Sequence, residues 1–217
     1  MASPRGLPDW VYVFVNPGNV MAVMNLQITG QYTSSALAAM EDEGFASAYA
    51  DGSADFLPFV PNASMSTGFI SPFVMGTINN YRVEYDAELT RRAFFKDSPS
   101  RLTGIFAFES MAVCNEVSQR WAPHWPMQQV QRFKPQSVIR AARVNMEIVS
   151  LARLAYGRAM LDADGIERLW RAYWSGADDY TMDLPSVDAK QREIVSAGTT
   201  WEWIIDGALL HDSRVDE

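Results

Sequence analysis

The segment TTWEWIIDGALL, Thr199 to Leu210, constrains the fold more than any other stretch. Aromatic and β-branched side chains around one isolated carboxylate specify a strand, because they suit a pleated, half-buried surface. Successive strand side chains point to opposite faces, so Glu202 faces away from both Trp201 and Trp203. Asp206-Gly207 is a pair favoured in tight hairpin turns, so a turn is expected there. Glu202 then has two readings. On a cleft wall, desolvation strengthens its interaction with a polar ligand or a developing cation; on the outer face of a sheet it is a solvated side chain.

The rest of the pattern supplies partners for that strand. WVYVFVNPGN reads as a strand broken at Asn16, Pro17 and Gly18, followed by a short apolar helix that ends at Gly30. Residues 31–80 are rich in Gly, Ser, Thr, Ala and Pro without a clear period, and read as a long loop-rich insertion in which Phe56, Phe59, Phe69 and Phe73 imply some packing. Asp86 is a candidate cap for a short amphipathic helix that runs to the hinge at Asp97–Pro99. RLTGIFAF reads as a strand, and Glu109 or Ser110 opens a helix through SMAVCNEVSQRW. Val144, Met146 and Ile148 alternate with polar residues and predict a strand over about 141–149. Ser150 and Asp164 are candidate caps of two further helices, the second ended by Gly176. Strands and helices mix without regular alternation. The expected fold is therefore α+β, with mixed, mostly antiparallel sheets and flanking helices in a single domain over 1–217.

Charge and motif content narrow the chemistry. With 18 Lys and Arg against 26 Asp and Glu, the formal net charge is -8, which disfavours nucleic acid as a partner. Several arginines between Arg132 and Arg171 are either a local cationic pocket or a set of solvated faces. Cys114 is the only cysteine, which excludes an intrachain disulfide and suits a cytoplasmic protein; its surroundings read as a buried small hydrophobe. His124 and His211 lack metal-ligand spacing, and the acidic run Asp51–Asp55 lacks the terminal Glu of a calcium loop, so no metal is expected. No Walker loop, GxGxxG or GxSxG occurs. No apolar run approaches the roughly 18 residues of a membrane span, and the first ten residues lack a secretory pattern, so a soluble, unexported protein is expected.

The hinge KDSPSRL, Lys96 to Leu102, is either a turn that delivers two hydroxyls and a guanidinium to a cleft, or a helix end before a buried strand with Arg101 pairing Glu109 or another acid. The order of VYVFVNPGN, DSPSRLTGIFAFES, AYWSG and WEWIIDG resembles the ADP-ribosyltransferase-like family, in particular its small microbial and phage branch. Roughly residues 10–30 and 85–210 carry the resemblance. It implies NAD as substrate, no metal, and a protein target modified through an oxocarbenium-like step. By the same resemblance Glu202 takes the position of the catalytic carboxylate, Ser98 and Ser100 approximate the Ser-Thr strand that shapes the NAD pocket, and Arg101 meets phosphate or ribose. Tyr12 stands where many relatives have His or Arg; it can hydrogen-bond a ribose hydroxyl but cannot neutralise pyrophosphate. Tyr12 or Phe106 would stack on nicotinamide. The competing expectation is a non-catalytic protein-binding module of phage or bacterial origin on the same fold, gripping its partner through residues 31–80.

Overall fold

Val11, Val13 and Val15 are buried while Tyr12 and Phe14 are half-buried, the two-residue period of a strand with one face on a core. The computed structural model describes residues 6–55, 57, 60, 71–121, 123–159, 161–188 and 190–212. Its strands are β1 (Val11–Phe14), β2 (Gln31–Thr33), β3 (Ile105–Ala107), β4 (Val130–Asn145), β5 (Thr181–Pro185), β6 (Arg192–Ser196) and β7 (Trp201–His211). Its helices are α1 (Val20–Thr29), α2 (Ser35–Ala39), α3 (Glu43–Asp51), α4 (Pro72–Phe94), α5 (Met111–Trp121), α6 (Met146–Arg158) and α7 (Ala163–Trp174). The chain is thus α+β with antiparallel strand pairs. It divides into two compact units, the first Met1–Asp51, Asp97–Arg143 and Trp201–Glu217, the second Gly52–Lys96 and Val144–Thr200.

In the first unit the sheet runs β1-β4-β7-β2, and β3 also pairs with β7. Tyr32 lies opposite Leu209 and Phe106 opposite Ile204, so β2 and β3 occupy successive lengths of one edge of β7. β1 lies on β4, with Val11 opposite Phe133 and Tyr12 opposite Arg132. A single bridge, Tyr12 to Phe108, joins β1 to the end of β3 through two backbone hydrogen bonds of 2.8 Å. One face of this sheet buries Val11, Val13, Ile105, Ala107, Phe133, Trp203, Ile205 and Leu209, against which α1 packs Val23 and Leu26. The expected strand, turn and helix at the start are present: Asn19 Oδ1 accepts from the Ala22 N–H at 3.3 Å, and Gly30 closes α1 at φ 69°.

Several local expectations change. No turn forms at Asp206-Gly207, because β7 runs straight through it. The glycine serves close approach instead: a Cβ at Gly207 would lie 2.1 Å from the Ser137 carbonyl oxygen on β4. Residues 31–51 are not irregular but form β2, α2 and α3, since Ser34 caps α2 at the Leu37 N–H (3.2 Å) and Asp42 caps α3 at the Phe45 N–H (2.7 Å). Phe73 is 81% exposed, and Phe56, Phe59 and Phe69 lie outside the described residues. The strand expected at 141–149 ends at Asn145, whose side chain accepts from the Glu147 N–H at 3.1 Å and starts α6 there, so Ser150 is not the cap.

The second unit packs α4 on α6 and α7, with the β5–β6 hairpin against α6. The amphipathic face of α7 places Leu169, Trp170, Tyr173 and Trp174 inside and leaves Glu167, Arg168 and Arg171 outside. Its cap is Asp162, which accepts from the Gly165 N–H at 2.8 Å, rather than Asp164. Asp86 caps nothing, because α4 begins fourteen residues earlier at Pro72. Instead it accepts a 2.6 Å hydrogen bond from the Tyr156 hydroxyl, which itself accepts from Trp170 Nε1 at 3.0 Å. Burial raises the Asp86 pKa and pushes up that of Tyr156. Among the described residues no helix is long and apolar enough to cross a membrane.

Candidate functional site

The face of β7 opposite Trp203 carries Glu202, Ile204 and Asp206, all buried. Phe106 shares this face because it lies opposite Ile204. Arg101 connects them: its Nη1 is 3.2 Å from Glu202 Oε1, and its guanidinium carbon lies 5.0 Å from the centre of the Phe106 ring. Both side chains of the ion pair are nearly sealed from solvent, 9% exposed for Arg101 and 5% for Glu202. Glu202 is therefore a buried, countered carboxylate, and Arg101 meets Glu202 while Glu109 pairs with Arg143 at 3.5 Å.

The hinge holds Arg101 in place. The Ser100 carbonyl accepts from the Gly104 N–H at 2.9 Å, and Ser100 Oγ accepts from the Leu102 N–H at 3.1 Å, so this hydroxyl is used by the turn itself. Gly104 is required here, because a Cβ would lie 2.6 Å from Ile204 Cγ2 and 2.9 Å from the Ser100 carbonyl oxygen. Ser98 lies half-buried in the bend before Pro99.

Two groups on this side were not singled out from the sequence. The Tyr49 hydroxyl donates to Asp206 Oδ2 and accepts from the Ser100 N–H at 2.9 Å, tying α3 to β7 and to the hinge. Burial, then the charge and hydrogen bond of Asp206, pushes the Tyr49 pKa up to about 12. Arg140 lies over the Tyr49 ring, its guanidinium carbon 4.5 Å from the ring centre. The available signal was the period of β7: Asp206, four residues after Glu202, returns to the same face once the strand continues past Gly207. Arg132 also stands beside the first strand, opposite Tyr12, with Nε 2.8 Å from Asp212 Oδ2 and its guanidinium 4.7 Å from the Trp10 ring.

Beside the Tyr12–Phe108 bridge a cavity of about 690 Å³ is lined by Val13 and Phe14 of β1 and by Thr103–Phe106 at the start of β3. Tyr32 and Trp125 add aromatic walls; Phe14 meets Trp125 edge to face at 5.1 Å. Asn25 of α1 also lines it, fixed by bonds from Nδ2 to the Gln31 carbonyl (3.2 Å) and Thr33 Oγ1 (3.1 Å). Of the expected site residues, Phe106 lines this cavity, Arg101 lies over Phe106, and Glu202 is reached through Arg101. Tyr12, Ser98 and Ser100 are not among its lining residues. Cys114 is fully buried, and burial pushes its thiol up to about 12. Among the described residues no cluster of His, Cys, Asp or Glu is arranged to hold a metal ion. No family model matches the chain, and no curated protein matches it.

Proposed function

We propose that the protein is an ADP-ribosyltransferase that uses NAD to modify a macromolecular target, with Glu202 as the catalytic carboxylate and the cavity between β1 and β3 as the seat of the nicotinamide ring. The observation that carries this reading is the linkage of a buried carboxylate to an aromatic cavity wall through one guanidinium, Glu202 to Arg101 to Phe106. Buried carboxylates are costly and are kept where their charge is countered or used.

In this reading the bond between the ribose carbon and the nicotinamide nitrogen breaks, and its electron pair goes to the ring nitrogen, which becomes neutral. The ribosyl group becomes an oxocarbenium-like cation, and a carboxylate in a low-dielectric setting stabilises that developing charge. A nucleophile on the protein target then bonds to the same carbon and gives up its proton to solvent water. Phosphate contact by Arg101 requires its guanidinium to turn partly away from Glu202, and Arg132 beside Tyr12 is a second cation on the first-strand side.

Isothermal titration with NAD, followed on the same sample by a nicotinamide-release assay on wild type and Glu202→Gln, tests the proposal. Binding with release that depends on Glu202 supports it, and release unchanged in Glu202→Gln removes Glu202 from the chemistry. A second reading has its own support: α1 exposes Val20, Met21, Met24 and Ile28 at 60%, 78%, 49% and 78%, an uncovered apolar stripe suited to a protein-binding module. A folded sample that binds no NAD favours that reading.

A further inference from the structure

Four aromatic residues, Phe14, Tyr32, Phe106 and Trp125, line the cavity between β1 and β3. Aromatic faces attract cations through the negative centre of the ring. Among the described residues no Lys, Arg or His lines the cavity, and the chain carries no charged side chain from Val11 to Met40. The nearby cation Arg101, over Phe106, is already countered by Glu202. A phosphate or carboxylate ligand would find no cation among the lining residues. Among the described residues the one charged side chain that lines the cavity is Glu41, exposed at the turn before α3. Its neighbours belong to the helix start, since Asp42 caps the Phe45 N–H at 2.7 Å and Glu43 lies in the first turn of α3. Glu41 stands outside that arrangement and faces a cavity whose walls already favour positive charge.

We infer that this cavity is a site for flat organic cations and that Glu41 is its specificity determinant; for the proposed reaction, on whose reading this extension rests, the ligand is the oxidised, positively charged nicotinamide ring. The charge is lost when the ring leaves. Glu41 therefore tightens binding of the charged substrate ring and adds no hold on the neutral nicotinamide that departs, lowering KM without raising kcat.

The test is isothermal titration of wild type and Glu41→Gln with two non-reacting probes of nearly the same shape, the 1-methylnicotinamide cation and neutral nicotinamide. Wild type is expected to bind the cation about tenfold more tightly, from ring attraction and the carboxylate together. Glu41→Gln should narrow the ratio to about threefold, and raising the salt should narrow it in wild type as well, because an exposed carboxylate is screened. Equal affinities, binding of neither probe, or a preference that persists unchanged in Glu41→Gln would each overturn the inference. An unaltered melting temperature confirms that the exposed substitution leaves the fold intact. Nicotinamide release from NAD, measured alongside, separates the two readings. Turnover without cation preference overturns the cation site and leaves the transferase; preference without turnover keeps the cation site and removes the transferase.

Discussion

Replacing Arg101 by Met should destabilise the first unit far more than replacing Arg101 and Glu202 together. Glu202 is 5% exposed and its Oε1 lies 3.2 Å from Arg101 Nη1, so the single change removes a guanidinium from a nearly desolvated carboxylate. At charge separations of about 4 Å and an effective dielectric of about 20 the attraction is about 4 kcal/mol, and breaking one side of such a pair costs about 3–5 kcal/mol. Arg101→Met with Glu202→Leu removes both charges and fills similar space, so its expected cost is about 1 kcal/mol or less. The cycle, completed by Glu202→Leu alone, should give a coupling of about 2–4 kcal/mol. Urea-dependent hydrogen exchange of the β3 and β7 amides is the assay, because it reports the unit that holds the pair. A coupling below about 0.5 kcal/mol would mean a solvated surface pair, and would refute the view that the hinge positions Arg101 on a buried carboxylate.

Other substitutions test the surrounding structure. Tyr49→Phe removes the hydroxyl that Asp206 and the Ser100 N–H share and should cost about 1–3 kcal/mol in urea unfolding; a loss within error would place this group in water. Gly207→Ala should abolish the folded first unit, seen as loss of β7 exchange protection, because its Cβ would meet the Ser137 carbonyl at 2.1 Å. Trp203→Ala should cost about 3–5 kcal/mol, since the ring is 5% exposed in the core. Stability should fall as pH rises through the window from about 10 to about 12. The folded Tyr49 keeps its proton up to about 12 while the unfolded one releases it near 10.0, so the native state binds more protons there; a flat profile in urea titrations would contradict this burial.

Local chemistry was legible in the sequence, and long-range chemistry was not. The strand, turn and helix from Val11 to Gly30 follow from alternation, an Asn-Pro-Gly break and a glycine cap, each decided within a few residues. The orientation of Glu202 away from Trp203 follows from the strand period alone. Its partner Arg101 lies 101 positions earlier, and no local pattern selects Glu202 over Glu109 as the acid it meets. The same limit hid Tyr49, whose partner Asp206 is 157 positions away. Gly207 misled for a physical reason, because glycine serves both a tight turn and a close backbone approach, and only the position of β4 distinguishes them. At 141–149 alternation continued past Asn145, where a side-chain cap converts strand to helix.

The place of β7 in the sheet sets an order of assembly. Among the described residues β2 and β3 have β7 as their ladder partner, and β4 borders β7 along its second edge. These partners precede β7 by some 60 to 170 positions, so their edges stay open while a chain emerging from the ribosome is still short of Trp201. Loop closure over such spans is slow, and open strand edges invite pairing with other chains in the interval. Glu202 arrives on that last strand. A nascent chain thus passes most of its synthesis with the Arg101 turn made and its carboxylate partner absent, and the buried charge pair forms only as the sheet closes.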